Sequence, residues 1–341
     1  MSSRSPLPPR QAGPAAWVAA DMADPSEWTW ELDRSDIDEL IRVSAPLADL
    51  PHDTMIDGTD SITLSPELMS SLQNVHHELV AGRGFQLISA LPVDELSEGH
   101  AAAAFITLGS AIGLPRSQNA SGDLLGHVRD VGKDATDPEA RIYQTSDRQT
   151  FHTDSTDVVG LLCLSDAASG GDSLLVSTAA IYNEMLDTDA ELAALLFEPI
   201  ATDRRGEVPD GEEPFFLIPV LNWFDGTLTG IYQRQYIDSA QRFEAAPQLS
   251  SKHVEALDLF DEIANRPEMH LSMRLRPGDM QFVHNHSTLH DRTSFVDGPH
   301  NPRHLLRLWL SVVDDRKLPP IFASRYGSVT VGDRGGIIVG R

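Results

Sequence analysis

The chain has 341 residues, and its 26 basic and 51 acidic side chains give a formal net charge of −25 at pH 7. This balance argues against nucleic acid or an anionic membrane as a partner, because both require a basic surface. No apolar run approaches the roughly 18 residues that span a membrane, and a single cysteine, Cys163, excludes an intramolecular disulfide and favours a reducing compartment. We expect a cytoplasmic protein with a small-molecule partner, and whether it forms a homo-oligomer stays open.

Residues 1–21 are predicted to form a frayed N-terminal tail. They are rich in Pro, Ala and Ser and lack the apolar segment behind a basic start that marks a signal peptide. Residues 22–341 are expected to form one domain, mainly helical over 22–121, because no repeat or long linker marks a boundary. The elements predicted in this first part are a helix over Asp36–Val43 capped by Ser35, a helix from Ser65-Pro66 through Leu79, a strand over Phe85–Leu91 and a helix over Glu98–Ile112.

Short strands between turns dominate residues 122–313. The predicted strands are Leu124–Val131, Ala140–Thr145, Val158–Leu164, Ser173–Ser177, His270–Arg276, Asp279–His284 and His304–Val313. The predicted helices are Thr178–Leu186, Ala190–Leu196 and Ser251–Asn265, with a hairpin joining Phe216–Phe224 to Leu228–Tyr236 through Asp225-Gly226. This pattern favours an α+β protein with a β-sandwich or jelly-roll core, followed by a C-terminal extension over 314–341.

The segment Phe151-His152-Thr153-Asp154 is a candidate metal-binding motif. Residues i and i+2 of a strand point to the same face, so His152 and Asp154 can aim at one point. A second histidine would complete a 2-His-1-carboxylate triad, which holds a divalent metal and leaves coordination positions open. The His-x-Asp pair alone is weak evidence, because it arises by chance in many chains.

Three candidates for the second histidine, His284, His286 and His290, lie in one C-terminal run. If this run is extended, alternation puts all three on the same face, so spacing alone does not choose among them. For any single one of them, a structural or hydrogen-bonding role is the simpler interpretation.

Two arginines follow in a strand-like segment. Arg303 and Arg307 are separated by an even number of residues, which places both guanidinium groups on one face. Like charges on the inner face of an apolar strand are costly unless they bind an anion, and a guanidinium can hold a carboxylate through two hydrogen bonds. Surface positions or ion pairs with the many acidic residues are the alternative. Metal ligands followed by inward-facing arginines are more specific together than either motif alone.

Together these residues resemble the Fe(II)/2-oxoglutarate-dependent dioxygenases of the taurine and 2,4-dichlorophenoxyacetate dioxygenase type, relatives of clavaminate synthase. That family carries His-x-Asp, then a distal His, then an Arg. The segment Gly170-Gly171-Asp172-Ser173 is similar to the family's Gly-Gly-Asp-Thr. The segment from Leu289 to Phe295 is similar to its Leu-His-x-Arg-x-x-Phe. The similarity covers about residues 122–313 and implies a double-stranded β-helix, or jelly roll, as the core.

The resemblance also implies a metal site. His152, Asp154 and His290 match the family's iron ligands, which favours His290 over the other two histidines of its run. A carboxylate at position 154 favours hydroxylation, desaturation or oxidative cleavage over halogenation, because halogenating relatives carry a small residue there.

The implied cosubstrate is 2-oxoglutarate, which would be converted with O2 to succinate and CO2 while a small acidic or amino-acid-like molecule is hydroxylated. Arg303 matches the arginine that pairs with the distal carboxylate of 2-oxoglutarate, and Ser173 matches a hydroxyl residue that helps hold it. Arg307 matches a later arginine near the cosubstrate or an acidic substrate. Asn285 matches an Asn found in several relatives, and the segment 203–214 falls where relatives often have a mobile lid.

Two other classes remain open on the residues alone. A zinc hydrolase could use the same His, Asp and His ligands with a bound water, but it would leave Arg303, Arg307 and the Gly-Gly-Asp-Ser segment without a role. A non-catalytic jelly-roll binding protein would not need a complete triad together with both arginines. Succinate formation that depends on Fe(II) and 2-oxoglutarate would separate a dioxygenase from both.

Overall fold

The protein is described by a computed structural model over residues 6–133, 144–299 and 301–337. Its α-helices are α1 (Arg34–Ser44), α2 (His52–Gly58), α3 (Pro66–Val80), α4 (Glu98–Ile112), α5 (Thr178–Thr188), α6 (Ala190–Leu195), α7 (Arg234–Ala240), α8 (Ser251–Asn265) and α9 (Ala323–Tyr326). The predicted strand over Ala140–Thr145 falls largely outside the described residues.

The strands are short, as the turn-rich sequence predicts. They are β1 (Thr29–Glu31), β2 (Phe85–Ser89), β3 (Leu114–Arg116), β4 (Leu125–Val128), β5 (Gln149–His152), β6 (Val158–Ser165), β7 (Ser169–Gly170), β8 (Ser173–Ser177), β9 (Pro199–Asp203), β10 (Phe215–Pro219), β11 (Leu221–Phe224), β12 (Thr227–Gly230), β13 (His270–Met273), β14 (Met280–His284), β15 (Thr288–Arg292), β16 (Phe295–Val296), β17 (His304–Ser311), β18 (Val329–Thr330) and β19 (Asp333–Arg334).

Two sheets form the centre of the molecule. The larger has the order β1-β2-β14-β6-β17-β3, with β4 also paired to β17, and the smaller has the order β13-β8-β15-β5. Helices α3 and α4 cover the outer face of the large sheet through an apolar cluster that includes Leu79, Phe105 and Leu306. Helices α5 and α8 pack on the small sheet through Ile181 and Phe260. The architecture is α+β, as predicted.

Local sequence signals correctly predict several helix and strand boundaries. Helices α4 and α8 and strand β8 have the predicted bounds, and Ser65 caps α3 by accepting a hydrogen bond from the Leu68 N–H, 3.2 Å. The predicted cap of α1 is wrong. The Asp33 carboxylate, not Ser35, accepts the Asp36 N–H at 2.9 Å, and the Ser35 hydroxyl donates to that same carboxylate. Asp and Ser are comparable caps, so the sequence could not separate them.

The predicted hairpin around Asp225-Gly226 is correct only near its turn. Strands β11 and β12 pair across it, and both turn residues have positive φ angles, as a type I′ hairpin requires. The preceding segment instead forms β10, which ends at Pro219 and pairs with β9. Beyond the hairpin the chain turns into α7 rather than continuing as a strand. A proline removes a ladder donor, which explains the break at Pro219.

Residues 6–21 are not the frayed tail that composition predicts. Trp17 is buried, 2% exposed, and packs edge-on against Phe85 with ring centroids 5.4 Å apart. The Tyr182 hydroxyl donates to the Pro8 carbonyl at 2.5 Å, and the Gln11 N–H donates to Asn183 at 2.8 Å. A buried aromatic anchor outweighs the local composition here. Among the described residues, no helix combines the length and apolar character needed to cross a bilayer.

Candidate metal centre and adjoining cavities

Three donor side chains meet at one edge of the small sheet. His152 ends β5 and lies opposite His290 of the neighbouring β15, with ring centroids 4.1 Å apart. Asp154 follows two residues after His152, and its Oδ2 lies 3.8 Å from His290 Nε2. One ligand atom from each of the three lies within 4.8 Å of the others. The structure therefore brings together the residues that the sequence singled out.

Hydrogen bonds orient two of these donors. The His152 Nδ1–H donates to the Thr150 carbonyl at 2.9 Å, which leaves the Nε2 lone pair facing the Gln149 amide at 2.8 Å. Asp154 Oδ2 accepts the indole N–H of Trp309 at 2.9 Å, so the direction of the carboxylate is set by β17. Such partners fix the tautomer and orientation of metal ligands.

Electrostatics hold the three groups in their ligating protonation states. Burial lowers the pKa of His152, and burial together with neighbouring His152 lowers the pKa of His290 to about 3. Burial opposes ionisation of Asp154, but Arg307 and the two imidazoles outweigh it and lower the pKa of this carboxyl. Two neutral imidazoles and one carboxylate are the form that binds a metal at neutral pH. This donor set fits a ferrous ion with open coordination positions.

A cavity between the two sheets adjoins these donors. Its polar lining comes from Gln149, Ser173, Arg292, Arg303 and Arg307 and its apolar lining from Val128, Val159, Leu161, Leu275 and Leu305. Both predicted arginines thus face the same space, Arg307 from within β17 and Arg303 from the residue before it. Ser173 also lines it, and its hydroxyl donates to the Gln281 side chain at 2.9 Å.

The cavity contains buried cationic groups with unused donors. Arg303 is 3% exposed, and its Nη1 has no hydrogen-bond partner among the described residues; the same holds for Nε of Arg292. Both guanidinium groups lie over the Phe295 ring, at 5.2 and 4.8 Å from its centroid. Burial and the charge of Arg303 lower the pKa of Arg292 to about 10. Two such groups side by side are stabilised when an anion binds between them.

Gly171 allows the chain to approach Arg303 closely. Its φ is +79°, and a Cβ at this position would lie 3.0 Å from the Arg303 Nε. A side chain would therefore strain the backbone and displace the guanidinium. The glycine pair before Ser173 shapes the arginine end of the cavity.

A second cavity lies on the other side of Asp154. Its lining includes Gln149 and Arg307 from the first cavity, together with Ser155, Tyr232, Gln233, Tyr236, Trp309 and Arg325. Arg325 is 7% exposed, donates from Nε to the Ser155 hydroxyl at 2.8 Å and pairs with buried Glu207 at 3.3 Å. Glu207 belongs to the segment 203–214, which joins β9 to β10. Asp154 therefore lines both cavities, whereas His152 and His290 line the first.

The expectation that His284, His286 and His290 share one face is wrong. Strand β14 ends at His284 in the large sheet, and β15 begins at Thr288 in the small sheet. The chain changes sheet between them, so strand parity does not carry through. His284 Nε2 instead contacts Asp315 at 3.1 Å, and His286 Nε2 contacts Asp157 at 2.8 Å.

Sequence reasoning assigned no role to Gln149 or Arg292 and gave Asn285 only by resemblance. Asn285 Oδ1 accepts the Asp154 backbone N–H at 2.9 Å, across the corner between the sheets. Arg292 is the arginine of the Leu-His-x-Arg-x-x-Phe match, so its position two residues after His290 was the available signal. Gln149 lies three residues before His152, where regular strand alternation would place it on the opposite face, and a register shift between β5 and β15 separates the two positions.

Comparisons with known proteins show the family of this chain. Residues 47–309 match the model of the taurine catabolism dioxygenase TauD, TfdA family. The chain is 32% identical to FR-33289 synthase of Streptomyces rubellomurinus over 92% of its own length and 94% of that protein. It is also 32% identical to the taurine hydroxylase-like protein SAT17 of Stachybotrys chartarum, over 75% of this chain and 68% of that one.

Solved structures with the same fold include two iron oxygenases. An asparagine oxygenase complex with Fe(II), hydroxyasparagine and succinate superposes with a TM-score of 0.65 at 19% identity, covering 83% of this chain and 93% of that one. The non-heme iron oxygenase OrfP with Fe and alpha-ketoglutaric acid superposes with a TM-score of 0.60 at 15% identity and the same coverage. The chain belongs to the TauD/TfdA family and is an Fe(II)- and 2-oxoglutarate-dependent dioxygenase.

Proposed function

We propose that His152, Asp154 and His290 hold Fe(II) and that the protein hydroxylates a small amino-acid-like or acidic molecule. The observation that carries this proposal is the meeting of a neutral His pair and a carboxylate beside a cavity with unpartnered arginine donors. When bound, iron and 2-oxoglutarate supply the oxidising chemistry through O2, and the protein supplies position, charge and exclusion of water. The two facing sheets support a double-stranded β-helix as the core, and the single, buried Cys163 supports a cytoplasmic location.

The first cavity is the proposed 2-oxoglutarate site. Arg303 is positioned to bind the distal carboxylate through Nη1, and Arg292 adds a second positive charge beside it. Ser173 lines the same space with its hydroxyl oriented by Gln281. Gln149 would have to release His152 Nε2 for a metal to bind there, so this amide is expected to turn when the site is filled.

The second cavity is the proposed substrate site. It opens beside Asp154, and Arg307 and Arg325 bring positive charge to its lining. Ser155, Gln233 and Tyr236 add polar groups that could bind an amine or amide of the substrate. An amino acid or another small acid fits this mixture better than an apolar molecule, since an apolar molecule would remove water from the polar and charged lining without giving hydrogen bonds in return. Phosphate esters are included in the same screen, because a relative is named uridine-5'-phosphate dioxygenase.

The test is a substrate screen that reads succinate release. Amino acids, their derivatives, carboxylates, sulfonates and phosphate esters are each added with Fe(II) and 2-oxoglutarate, and succinate is corrected for turnover without substrate. We expect one of the anionic or amino-acid classes to stimulate succinate release, and we expect Asp154→Ala to abolish it. Asp187→Ala is the matched control, because this carboxylate is 58% exposed and pairs with surface Arg10.

Two results would contradict the proposal. Stimulation by apolar compounds alone would contradict the assigned substrate site. Turnover with Zn(II) and without 2-oxoglutarate would favour a hydrolase that uses the same ligands.

A further inference from the structure

A second group of metal-binding side chains lies on the opposite face of β17 from the dioxygenase site. His127 Nδ1 and His304 Nε2 are 2.9 Å apart, and their rings stack with centroids at 5.1 Å. The Glu98 carboxylate lies 4.0 Å from His127 Nδ1 and 3.9 Å from His304 Nδ1. One ligand atom of each residue lies within 4.8 Å of the others.

Three separate elements converge to form this group. Glu98 begins α4, His127 lies in β4 and His304 begins β17. Leu306 is the register partner of His127 and belongs to the apolar face that packs on α4. Leu305 and Arg307 of β17 lie on its other face and line the cavity between the sheets. The group is therefore distinct from the site that holds His152, Asp154 and His290.

The histidines are in the state that binds metal. Burial lowers the pKa of both, and Glu98 opposes this without overcoming it, so near pH 7 both imidazoles are neutral with a lone pair each. The exposed Arg129 and the ring of His52 add positive potential, while Asp123 adds negative potential near His127. At 2.9 Å the two neutral imidazoles of His127 and His304 can form one N–H···N hydrogen bond with each other. The Glu98 carboxylate forms no hydrogen bond with either ring.

The group is also reachable and has room for a fourth ligand. The side chains of Glu98, His127 and His304 are 56%, 30% and 13% exposed, so an ion can enter from solvent. The His52 ring lies 5.6 Å from the His127 ring, on the adjacent α2. Two imidazoles and one carboxylate are the ligands that zinc and similar borderline divalent ions prefer, with water or a further imidazole in the remaining position.

We propose that Glu98, His127 and His304 form a second divalent-metal site, with zinc as the fitting ion, that joins α4, β4 and β17. Binding there would link the helix layer to the strand that carries Arg307 and directly follows Arg303. Because an ion that binds only the folded state stabilises it by mass action, zinc is expected to raise the unfolding temperature through this site.

The experiment counts zinc by equilibrium dialysis of the metal-free full-length protein and its variants. We expect two ions per chain in the wild type, one in His127→Gln/His304→Gln and one in His152→Ala/His290→Ala. In the His152→Ala/His290→Ala protein, adding His304→Gln should weaken zinc binding more than about 100-fold, beyond the range that follows loss of an outer-sphere partner. Zinc should raise the unfolding temperature of His152→Ala/His290→Ala. It should leave that of the triple variant with His304→Gln unchanged.

His253→Gln is the matched control, because this half-buried histidine also lies beside a glutamate, Glu198, at 3.2 Å but belongs to no metal-binding group among the residues that the structure describes. Its zinc count should equal that of the wild type. Circular dichroism shows whether each variant is folded, and Glu98→Gln offers a gentler change if the double variant is not. One ion per wild-type chain, lost only in His152→Ala/His290→Ala, would overturn the proposal and leave the dioxygenase assignment intact.

Discussion

The Arg303 guanidinium faces the cavity between the sheets with an unused donor. It lies over the Phe295 ring and beside Gly171, neither of which accepts a hydrogen bond from Nη1, while Asp166 and Asp297 add negative potential. Burial lowers the pKa of this guanidinium, which measures how unfavourable the charge is without an anion. The same residue is therefore poorly solvated when alone and well matched to a carboxylate.

Replacing Arg303 tests this directly. Arg303→Ala should raise the 2-oxoglutarate concentration needed for half-maximal succinate release by about 10-fold or more, because a charge-assisted hydrogen bond contributes about 1.5–3 kcal/mol. Steady-state titration with 2-oxoglutarate measures the change. Arg276→Ala, at an exposed arginine, is the control. An unchanged requirement in Arg303→Ala would place the cosubstrate elsewhere.

At the scale of elements, the C-terminal segment is tied to the sheets by a buried ion-pair network. Arg334 of β19 is fully buried and contacts Asp157 and Asp315, each at 2.7 Å. The same two carboxylates hold His286 and His284 at the corner between β14 and β15. Next to that corner, Asn285 accepts the Asp154 N–H. The segment thus supports the backbone that carries a metal ligand.

Removing the Arg334 side chain should lower the stability of the fold. Arg334→Met removes the cation from buried Asp157 and leaves Asp315 with Arg316 at 3.7 Å, and the free energy of unfolding should fall by about 3–5 kcal/mol. Urea denaturation measures it. Arg10→Met breaks a pair whose side chains are more than half exposed, so its effect should stay below about 1 kcal/mol. Equal effects of the two substitutions would show that the buried network does not hold the segment in place.

Sequence reasoning succeeded where short-range geometry decides the outcome. The His-x-Asp pair, the even spacing of Arg303 and Arg307, the cap of α3 and the bounds of α4 all depend on neighbours within a few residues. It failed where the chain leaves one sheet for another, as it does between His284 and Thr288. The partners of Arg334 are distant in sequence, and no local pattern predicts such contacts.

At the scale of the whole molecule, lowering the pH has two opposing effects on the stability of the fold. Lowering the pH reduces the net charge of −25 and its self-repulsion. The decrease in charge repulsion is small above about pH 5, since most carboxylates stay ionised there. Buried histidines act in the other direction, because burial lowers the pKa of His286 to about 4 and that of His290 to about 3.

Stability should therefore fall as the pH is lowered from about 6.5 toward 4. In this range the unfolded chain binds more protons than the folded one, so the free energy of unfolding decreases with decreasing pH. His286 alone should account for a loss of up to about 3 kcal/mol. Urea denaturation of the metal-free protein across this range measures the slope, which His286→Gln should flatten. A slope unchanged in that variant would contradict a neutral buried His286.

The central claim is that His152, Asp154 and His290 hold the iron. Its most direct test is the visible charge-transfer band that forms when Fe(II) and 2-oxoglutarate are added to the protein without oxygen. The account predicts the band in the wild type and in His253→Ala, and its loss in His290→Ala, where two protein ligands remain. A band that persists in His290→Ala and disappears in His286→Gln would contradict the assigned ligand set.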